Sequence, residues 1–225
     1  MVNRNETIAA TSRDAELALL ISYAPEPARA GIQALLALDE TLGNIVRSTR
    51  EPIVGQMRLT WWHEALTKLD GGPPPAEPVL QALAAAVVPT VGGAALAAMI
   101  DGWEALLEPD LDEAAIAAFA TGRGERLFAL MAALCGADDP RIRPAGAGWA
   151  LADLSRKISD PMLAASIRQQ ASSRLDEALI GVWPGKARAI GALALLARDD
   201  LRPDASAAGS PKRIGRMLIH RLTGR

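Results

Sequence analysis

Two oppositely charged residues fall on the apolar faces of consecutive predicted helices between residues 32 and 69. Asp39 lies inside an apolar arc of the first helix, and Arg58 lies near the middle of the apolar face of the second. A buried carboxylate or guanidinium is costly unless it is paired or used in a binding site. The pattern therefore predicts either a structural Asp39–Arg58 ion pair or a charged pocket between the two helices.

A second charged cluster occupies residues 153–160. Asp153, Arg156 and Asp160 share one face of a predicted helix, at positions i, i+3 and i+7. This spacing lets the three side chains neutralise one another as an ion ladder. The alternative is a cationic rim around a phosphate group, formed by Arg156 and Lys157.

The elements that carry these charges are all predicted to be helices. Hydrophobic residues make up 50% of the 225 residues and aromatic residues only 4%. The core is therefore built mainly from Ala and Leu, which favour packed helices over strands. The Gly/Pro-rich break at residues 70–78 is interpreted as a loop within one domain. We predict a single all-α domain over residues 1–225, with a flexible linker at 202–211 and a basic tail at 212–225.

An uncharged run at residues 82–100 has the length of a membrane-spanning helix. It consists mostly of alanine and is interrupted by Pro89, Gly92 and Gly93. The run is therefore predicted to form two buried helical segments around a break.

Composition excludes several classes of function. The formal net charge of -2 argues against a general nucleic-acid binder. A single cysteine, Cys135, excludes an intramolecular disulfide and a multi-cysteine metal site, and is predicted to be an inert core thiol. His63 falls on a polar face and is predicted to be solvated. Residues 1–14 contain no apolar signal-peptide core, which favours a cytoplasmic protein.

The tail from Pro211 to Arg225 combines basic residues with an apolar stripe and contains no acidic residue. Its basic residues are Lys212, Arg213, Arg216, Arg221 and Arg225, and its stripe is Ile214, Met217, Leu218 and Leu222. One interpretation is a solvated helix. The others are peripheral contact with anionic lipid, as at an inner membrane, and docking to a protein partner.

Three stretches of the chain together resemble the squalene/phytoene synthase family, whose members have the all-α isoprenoid synthase fold. They are Arg13-Asp14 with residues 23–29 and 37–40, the tryptophan-containing segment at 57–66, and residues 100–104 followed by 119–136 and 146–161. Their order and spacing extend over most of the chain. The resemblance implies an isoprenoid-synthase-like helical bundle.

The resemblance also implies a set of site residues. The family joins two allylic diphosphates head to head, and two aspartate-rich helical motifs hold Mg²⁺ ions that neutralise the leaving diphosphate. In an active enzyme the catalytic residues would be Asp39, Glu40, Asp153 and Asp160, with Asp39 and Asp160 as metal ligands. The substrate-binding residues would be Arg29, Arg58, Arg156, Lys157, Trp61 and Trp62. The two tryptophans are either core residues or the wall of a tunnel for an isoprenoid chain.

This sequence departs from the family pattern at both motifs. Four residues after Asp39 stands Gly43, which has no ligand atom, and the register that starts at Glu40 brings only the neutral Asn44. In the second motif Lys157 stands where a metal-binding aspartate is expected. These losses argue against the ordinary two-metal condensation.

Two functions remain as expectations. The first is a pseudoenzyme without a metal cofactor that binds a prenyl lipid or acts in respiratory-complex assembly, similar to the family branch associated with complex I. The alternative is an active Mg²⁺-dependent prenyltransferase of the phytoene or squalene synthase type. Activity predicts that Asp39 or Glu40 meets Asp153 or Asp160 across a cavity. A pseudoenzyme without a metal site predicts that Arg58 neutralises Asp39 and that Lys157 fills the opposite side of the cavity.

Overall fold

A computed structural model describes the backbone of residues 4–108 and 111–225, and the side chains from residue 12 onward within those ranges. Every regular element in the described ranges is helical, which confirms the all-α prediction. The α-helices are α1 (Arg4–Ile21), α2 (Glu26–Ser48), α3 (Pro52–Lys68), α4 (Pro78–Ala86), α5 (Val88–Val91), α6 (Gly93–Ala97), α7 (Ile100–Glu104), α8 (Glu113–Phe119), α9 (Arg126–Cys135), α10 (Ile142–Ser155), α11 (Pro161–Ala178), α12 (Arg188–Asp200) and α13 (Pro211–Thr223). A π-helical turn (Ala120–Glu125) joins α8 to α9, and a 3₁₀ turn (Gly185–Ala187) precedes α12.

Helix α10 is the centre of the bundle. It packs against α11, α12, α9 and the π-helical turn. Its inner surface contains many small residues, among them Gly146, Gly148 and Ala150, which let neighbouring backbones approach closely. The buried apolar residues of the described chain form one continuous core, which extends from α1 to α13.

Helices α2 and α3 form the pair predicted between residues 32 and 69, and Pro52 stands in the first turn of α3. The inward face of α2 is as predicted, including the buried Asp39. The prediction for α3 is wrong. Its buried side is a narrow strip around Leu59, Trp62 and Leu66, and Arg58 is exposed.

The uncharged run at residues 82–100 is divided among α4, α5, α6 and the start of α7. Gly92 has a φ of +79° and ends α5, and Asp70 accepts hydrogen bonds from the backbone N–H groups of Gly93 and Ala94 at the start of α6. No helix in the described part of the chain is long and apolar enough to cross a membrane.

One predicted helix end differs from that observed, and the predicted tail contains a packed helix. The helix that carries Asp153 ends at Ser155, and the chain turns before α11 begins at Pro161. Asp160 therefore does not lie on the same helix as Asp153, and the predicted i, i+3, i+7 face does not exist. The predicted tail at 212–225 contains α13, which packs on α12.

Candidate functional site

A single guanidinium lies at the centre of the site. Arg123 donates to both carboxylate oxygens of Asp39, from Nε and Nη2, each at 2.8 Å. Its Nη1 donates to Asp153 Oδ2 at 2.7 Å. The Arg123 side chain is only 6% exposed, so Arg123, the buried Asp39 and the partly buried Asp153 form a triad that connects α2 to α10.

Aromatic rings surround the same guanidinium. The Arg123 Cζ atom lies 4.5 Å from the ring centroids of Trp103 and Trp149 and 5.3 Å from that of Phe119. Trp103 also meets Phe119 edge to face at 5.5 Å. Cation–π attraction is stronger where water is excluded, so the rings and the carboxylates hold Arg123 in one orientation.

The π-helical turn places Arg123 in this cage. A Cβ atom added at Gly122 would lie 2.5 Å from Gly102 Cα, and one added at Gly124 would clash with the carbonyl of Gly146. Glycine on both sides of Arg123 therefore lets the turn press against α7 and α10. Single π-helical turns inside helices occur frequently at functional sites.

The triad shifts the pKa values of Arg123 and Asp153. Burial alone would lower the pKa of Arg123, but the charge and hydrogen bonds of Asp39 and Asp153 raise it above its usual range. Burial would raise the pKa of Asp153, but the charge of Arg123 and the hydrogen bond from Lys157 hold it well below its usual range. Arg123 and Asp153 therefore stay charged near neutral pH.

A chain of ion pairs connects the triad to α13. Asp153 accepts from Lys157 at 2.8 Å and from Arg156 at 3.3 Å. Arg156 also donates to Asp200 at 3.4 Å, and Asp200 accepts from Arg213 on α13. The predicted ladder in this region therefore continues through Asp200 and not through Asp160.

An open cavity of about 220 Å³ lies beside the triad. Its wall is mostly apolar and includes Trp103, Phe119 and Leu154. Two partly exposed cations, Arg47 and Lys157, belong to the same wall. A cavity of this kind can accept the start of an apolar chain that carries an anionic group.

The four predicted catalytic acids do not form one cluster. Asp39 and Asp153 meet on Arg123, as described above. Glu40 is exposed and pairs with Arg47 at 2.8 Å. Asp160 is exposed and caps α11 by accepting from the N–H groups of residues 162 and 163. Asp160 is thus in a capping position, outside the cavity wall.

The predicted substrate-binding residues divide in a similar way. Lys157 lines the cavity, and Arg156 lies next to it in the chain of ion pairs. Arg29 donates to the carbonyls of residues 22 and 24 and fixes the turn between α1 and α2. Arg58 is exposed and donates to a side-chain oxygen of α2, so the predicted Asp39–Arg58 ion pair is wrong.

Neither predicted aromatic residue lines the cavity. Trp62 is buried against the core, and Trp61 is 49% exposed and meets Trp62 edge to face at 5.4 Å. The residues that line the cavity therefore do not support the interpretation of Trp61 and Trp62 as a tunnel wall. The observed aromatic wall is formed by Trp103 and Phe119.

Arg123 is the central residue that the sequence analysis missed. The signal was an arginine between two glycines, Gly122 and Gly124, inside a predicted helical stretch. Glycine is unfavourable within a helix unless close packing requires it. An arginine held at such a point of close approach is a candidate for a buried partner of Asp39.

The model of the squalene/phytoene synthase family matches residues 10–166. The chain belongs to the squalene/phytoene synthase family. Comparison with curated proteins gives no match. The matched region contains α2, the π-helical turn and α10, which together carry Asp39, Arg123 and Asp153.

The side chains of this squalene/phytoene synthase family member do not fit the Mg²⁺ ions that the family implies. Both oxygens of Asp39 accept from Arg123, and Asp153 accepts from Arg123, Arg156 and Lys157. Within the described residues no three His, Cys, Asp or Glu side chains converge to hold a metal ion. Mg²⁺ requires several oxygen ligands, and adjacent cations repel it.

The position four residues after Asp39 is blocked as well. A Cβ atom added at Gly43 would lie 2.9 Å from a ring carbon of Trp103 and 2.8 Å from the Arg47 guanidinium. A carboxylate at this position would displace the ring that packs on Arg123. A side chain at position 43 is therefore incompatible with the present position of the Trp103 ring in the cage around Arg123.

Proposed function

We propose that this squalene/phytoene synthase family member binds an anionic prenyl lipid without Mg²⁺ and does not condense two allylic diphosphates. The observation that supports the proposal is the buried Arg123, which donates to both Asp39 and Asp153. A guanidinium at this point already neutralises the two carboxylates that would otherwise recruit metal ions.

The cavity supplies the two chemistries that such a ligand needs. Its apolar wall favours the transfer of a hydrocarbon chain from water. Arg47 and Lys157 favour a phosphate or diphosphate group, since arginine and lysine form charge-assisted hydrogen bonds to phosphate oxygens. The Arg47–Glu40 pair is largely exposed, so its exchange for a phosphate costs about 0–1 kcal/mol.

The size of the cavity limits what it encloses. Pockets for drug-sized ligands measure about 300–1,000 Å³, whereas this cavity measures about 220 Å³. It therefore encloses the first isoprene units next to the phosphate, and the rest of a longer chain extends through the open side. Recognition then depends on the charged group more than on chain length.

A role in assembly of a respiratory complex belongs to the same proposal. A family member that acts without metal contributes by binding, either of a lipid or of a partner protein. The expected result of deleting the gene in its host is lower complex I activity with unchanged isoprenoid products. Unchanged complex I activity would contradict this part of the proposal.

The alternative function is an active Mg²⁺-dependent prenyltransferase. One observation favours it. Asp39 and Asp153 come from the two motif regions, and both contact the Arg123 guanidinium beside the cavity. For both carboxylates to bind metal, Arg123 would have to leave a cage of three aromatic rings. Removing its charge from two buried partners makes that rearrangement costly.

Calorimetric titration tests the proposal. The purified protein is titrated with non-hydrolysable farnesyl and geranylgeranyl diphosphate analogues, with and without Mg²⁺. We expect the same affinity in both conditions and a loss of about tenfold in Lys157→Met, since one phosphate contact is removed. The matched control is Lys68→Met, an exposed lysine outside the cavity wall, which should keep the affinity.

Two results would contradict the proposal. Binding that requires Mg²⁺ would favour the prenyltransferase alternative and justify an assay for condensed products. Absence of binding in both conditions would exclude a prenyl diphosphate as the ligand of the cavity.

A further inference from the structure

Helix α13 differs from an ordinary surface helix because it buries two polar side chains and exposes three large apolar ones. Its buried side carries Arg213 and His220 beside Met217, and its outer side carries Leu218, Ile219 and Leu222. Leu222 is 78% exposed. Surface helices normally bury their apolar side and expose their charged side chains to solvent. The exposed apolar side of α13 is therefore a candidate binding surface.

The buried side of α13 is held by specific bonds. Arg213 donates to both carboxylate oxygens of Glu16 on α1 and also pairs with Asp200 on α12. His220 Nε2 lies 3.1 Å from the carbonyl oxygen of Arg188. These contacts fix the rotation of the helix about its axis, so the exposure of the leucines is part of the fold.

A loop that meets the chain just after α13 carries two more exposed apolar residues. Ile180 and Val182 are 71% and 49% exposed. Their carbonyl oxygens accept from the Arg141 guanidinium at 2.8 and 3.0 Å, and the N–H of Trp183 donates to the carbonyl of Gly224 just after α13. We call the five exposed residues the α13 patch: Ile180, Val182, Leu218, Ile219 and Leu222.

Cations surround the α13 patch. The segment 211–225 contains five Lys and Arg residues and no acid. At 100° per residue, Lys212 and Arg221 fall on opposite flanks of the stripe that contains Leu222. Arg221 donates to the carbonyl of Tyr23, and Lys212 forms an exposed ion pair with Asp204 at 3.9 Å. Arg225 follows the helix and is exposed. An apolar strip with basic flanks has the charge pattern of helices that lie in the surface of an anionic membrane.

We propose that the α13 patch docks on the surface of an anionic lipid bilayer, with α13 parallel to the membrane plane. The apolar side chains enter the interfacial region, and Lys212 and Arg225 contact phosphate groups. This inference does not depend on a ligand in the cavity. It places the protein at a surface from which a prenyl lipid could be drawn.

A second copy of the chain is a less suitable occupant of the α13 patch. In a two-fold symmetric interface the same patch meets itself. Lys212 and Arg225 would then face cations across the interface, and the 211–225 segment contains no acid to pair with them. An anionic bilayer provides the opposite charge and an apolar layer at once.

Vesicle co-sedimentation tests the inference with the full chain and no prenyl ligand. We expect binding to vesicles of phosphatidylglycerol mixed with phosphatidylcholine, weak binding to phosphatidylcholine alone, and weaker binding at high salt. The double variant Ile219→Ser/Leu222→Ser should lose at least about tenfold in partition coefficient. Both side chains are exposed, so the fold should not change.

The matched control uses an exposed apolar stripe on α3. Ile53→Ser/Met57→Ser removes two equally exposed side chains on α3 and should leave vesicle binding unchanged. Lys212→Glu/Arg225→Glu should abolish the preference for anionic vesicles. Equal binding by the wild-type protein and the Ile219/Leu222 variant, or no binding to anionic vesicles, would overturn the inference. A wild-type dimer in sedimentation analysis that the same variant converts to monomer would overturn it in favour of a second copy.

Discussion

At the residue scale, Arg123 explains why two carboxylates are buried in an apolar bundle. Asp39 accepts two hydrogen bonds from it and Asp153 accepts one, at 2.7–2.8 Å, and three aromatic rings pack around it. The arrangement satisfies the buried charges without a metal ion. It also makes Arg123, and not Arg58, the residue on which the site depends.

Replacing Arg123 and Arg58 in separate variants tests which arginine is the partner of Asp39. Arg123→Met leaves Asp39 buried and unpaired, so the free energy of unfolding should fall by about 3–5 kcal/mol. Arg58→Met removes an exposed side chain with one 3.3 Å hydrogen bond. It should change the free energy of unfolding by no more than about 0.5 kcal/mol. Urea unfolding at neutral pH measures both values. Equal losses in the two variants would contradict the assignment of Arg123 as the partner of Asp39.

The burial of Asp39 could be predicted from the sequence, but its partner could not. Helical periodicity places Asp39 among apolar residues of the same helix, which is local information. Arg123 is 84 positions away in sequence, and it meets Asp39 only after the π-helical turn has packed between α7 and α10. Arg58 was the nearest inward candidate by periodicity, yet α3 turns that side to solvent.

At the element scale, the π-helical turn depends on close approach between backbones. Gly124→Ala would place a methyl group against the carbonyl of Gly146, and neither backbone can retreat without moving α10. We expect a loss of at least about 2 kcal/mol in unfolding free energy. The matched control is Gly215→Ala on α13, where an added Cβ meets nothing within 4 Å. That change should stabilise the protein by about 0.5–1 kcal/mol, because alanine is the better helix former. Stabilisation by both changes, in thermal or urea unfolding, would contradict the close packing of the turn.

The packing of α13 against the rest of the fold should make stability depend on pH through the buried His220. Burial lowers the pKa of His220, and the nearby charge of Arg188 acts in the same direction against hydrogen bonds to the backbone of Arg188 and Arg225. The unfolded chain takes up a proton at about pH 6.5, while folded His220 stays neutral to lower pH. The free energy of unfolding should therefore fall as the pH decreases below about 6.5.

Two histidine variants identify the residue responsible, since the chain has only His63 and His220. Urea unfolding is compared at pH 7.5 and 5.5. His63→Gln changes an exposed side chain and should keep the full pH-dependent loss. His220→Gln should show a smaller difference between the two pH values, whatever its stability at pH 7.5. An undiminished difference in His220→Gln would refute the role of His220.

The elements themselves were largely predictable, and their rotations and ends less so. The long helix α2 was predicted because its apolar positions follow one clear arc. Helix α3 has more apolar positions than its neighbours can cover, so periodicity could not tell Leu59 from Met57. The end of α10 at Ser155 followed no Gly or Pro signal, and the assignment of Asp160 to the same face failed for that reason.

At the scale of the whole molecule, the region matched by the family model does not complete the core. Residues 10–166 include the triad and the cavity. Helices α11 and α12 lie mostly or wholly beyond them, and Ile167, Leu175 and Ile190 are fully buried. Because α10 packs against both helices, the fold depends on the chain well beyond residue 166.

Truncation tests this dependence. A fragment that ends at residue 166 exposes the inner face of α10 and loses the ion pairs through Asp200. We expect the fragment to lack a cooperative thermal transition, whereas the full chain should unfold in one step with coincident near- and far-UV circular dichroism. A cooperative transition in the fragment would mean that α11 and α12 are accessory to the domain.

The measurement that tests the central claim most directly is the binding of Mn²⁺, as a paramagnetic substitute for Mg²⁺, to the ligand-free protein by electron paramagnetic resonance. With Arg123 between Asp39 and Asp153, the wild-type protein should bind no Mn²⁺ at millimolar concentrations. The variant Asp39→Asn/Asp153→Asn should give the same spectrum as the wild type. Mn²⁺ binding by the wild type that disappears in this variant would contradict the claim, because it would show that the two carboxylates are free to hold a metal ion.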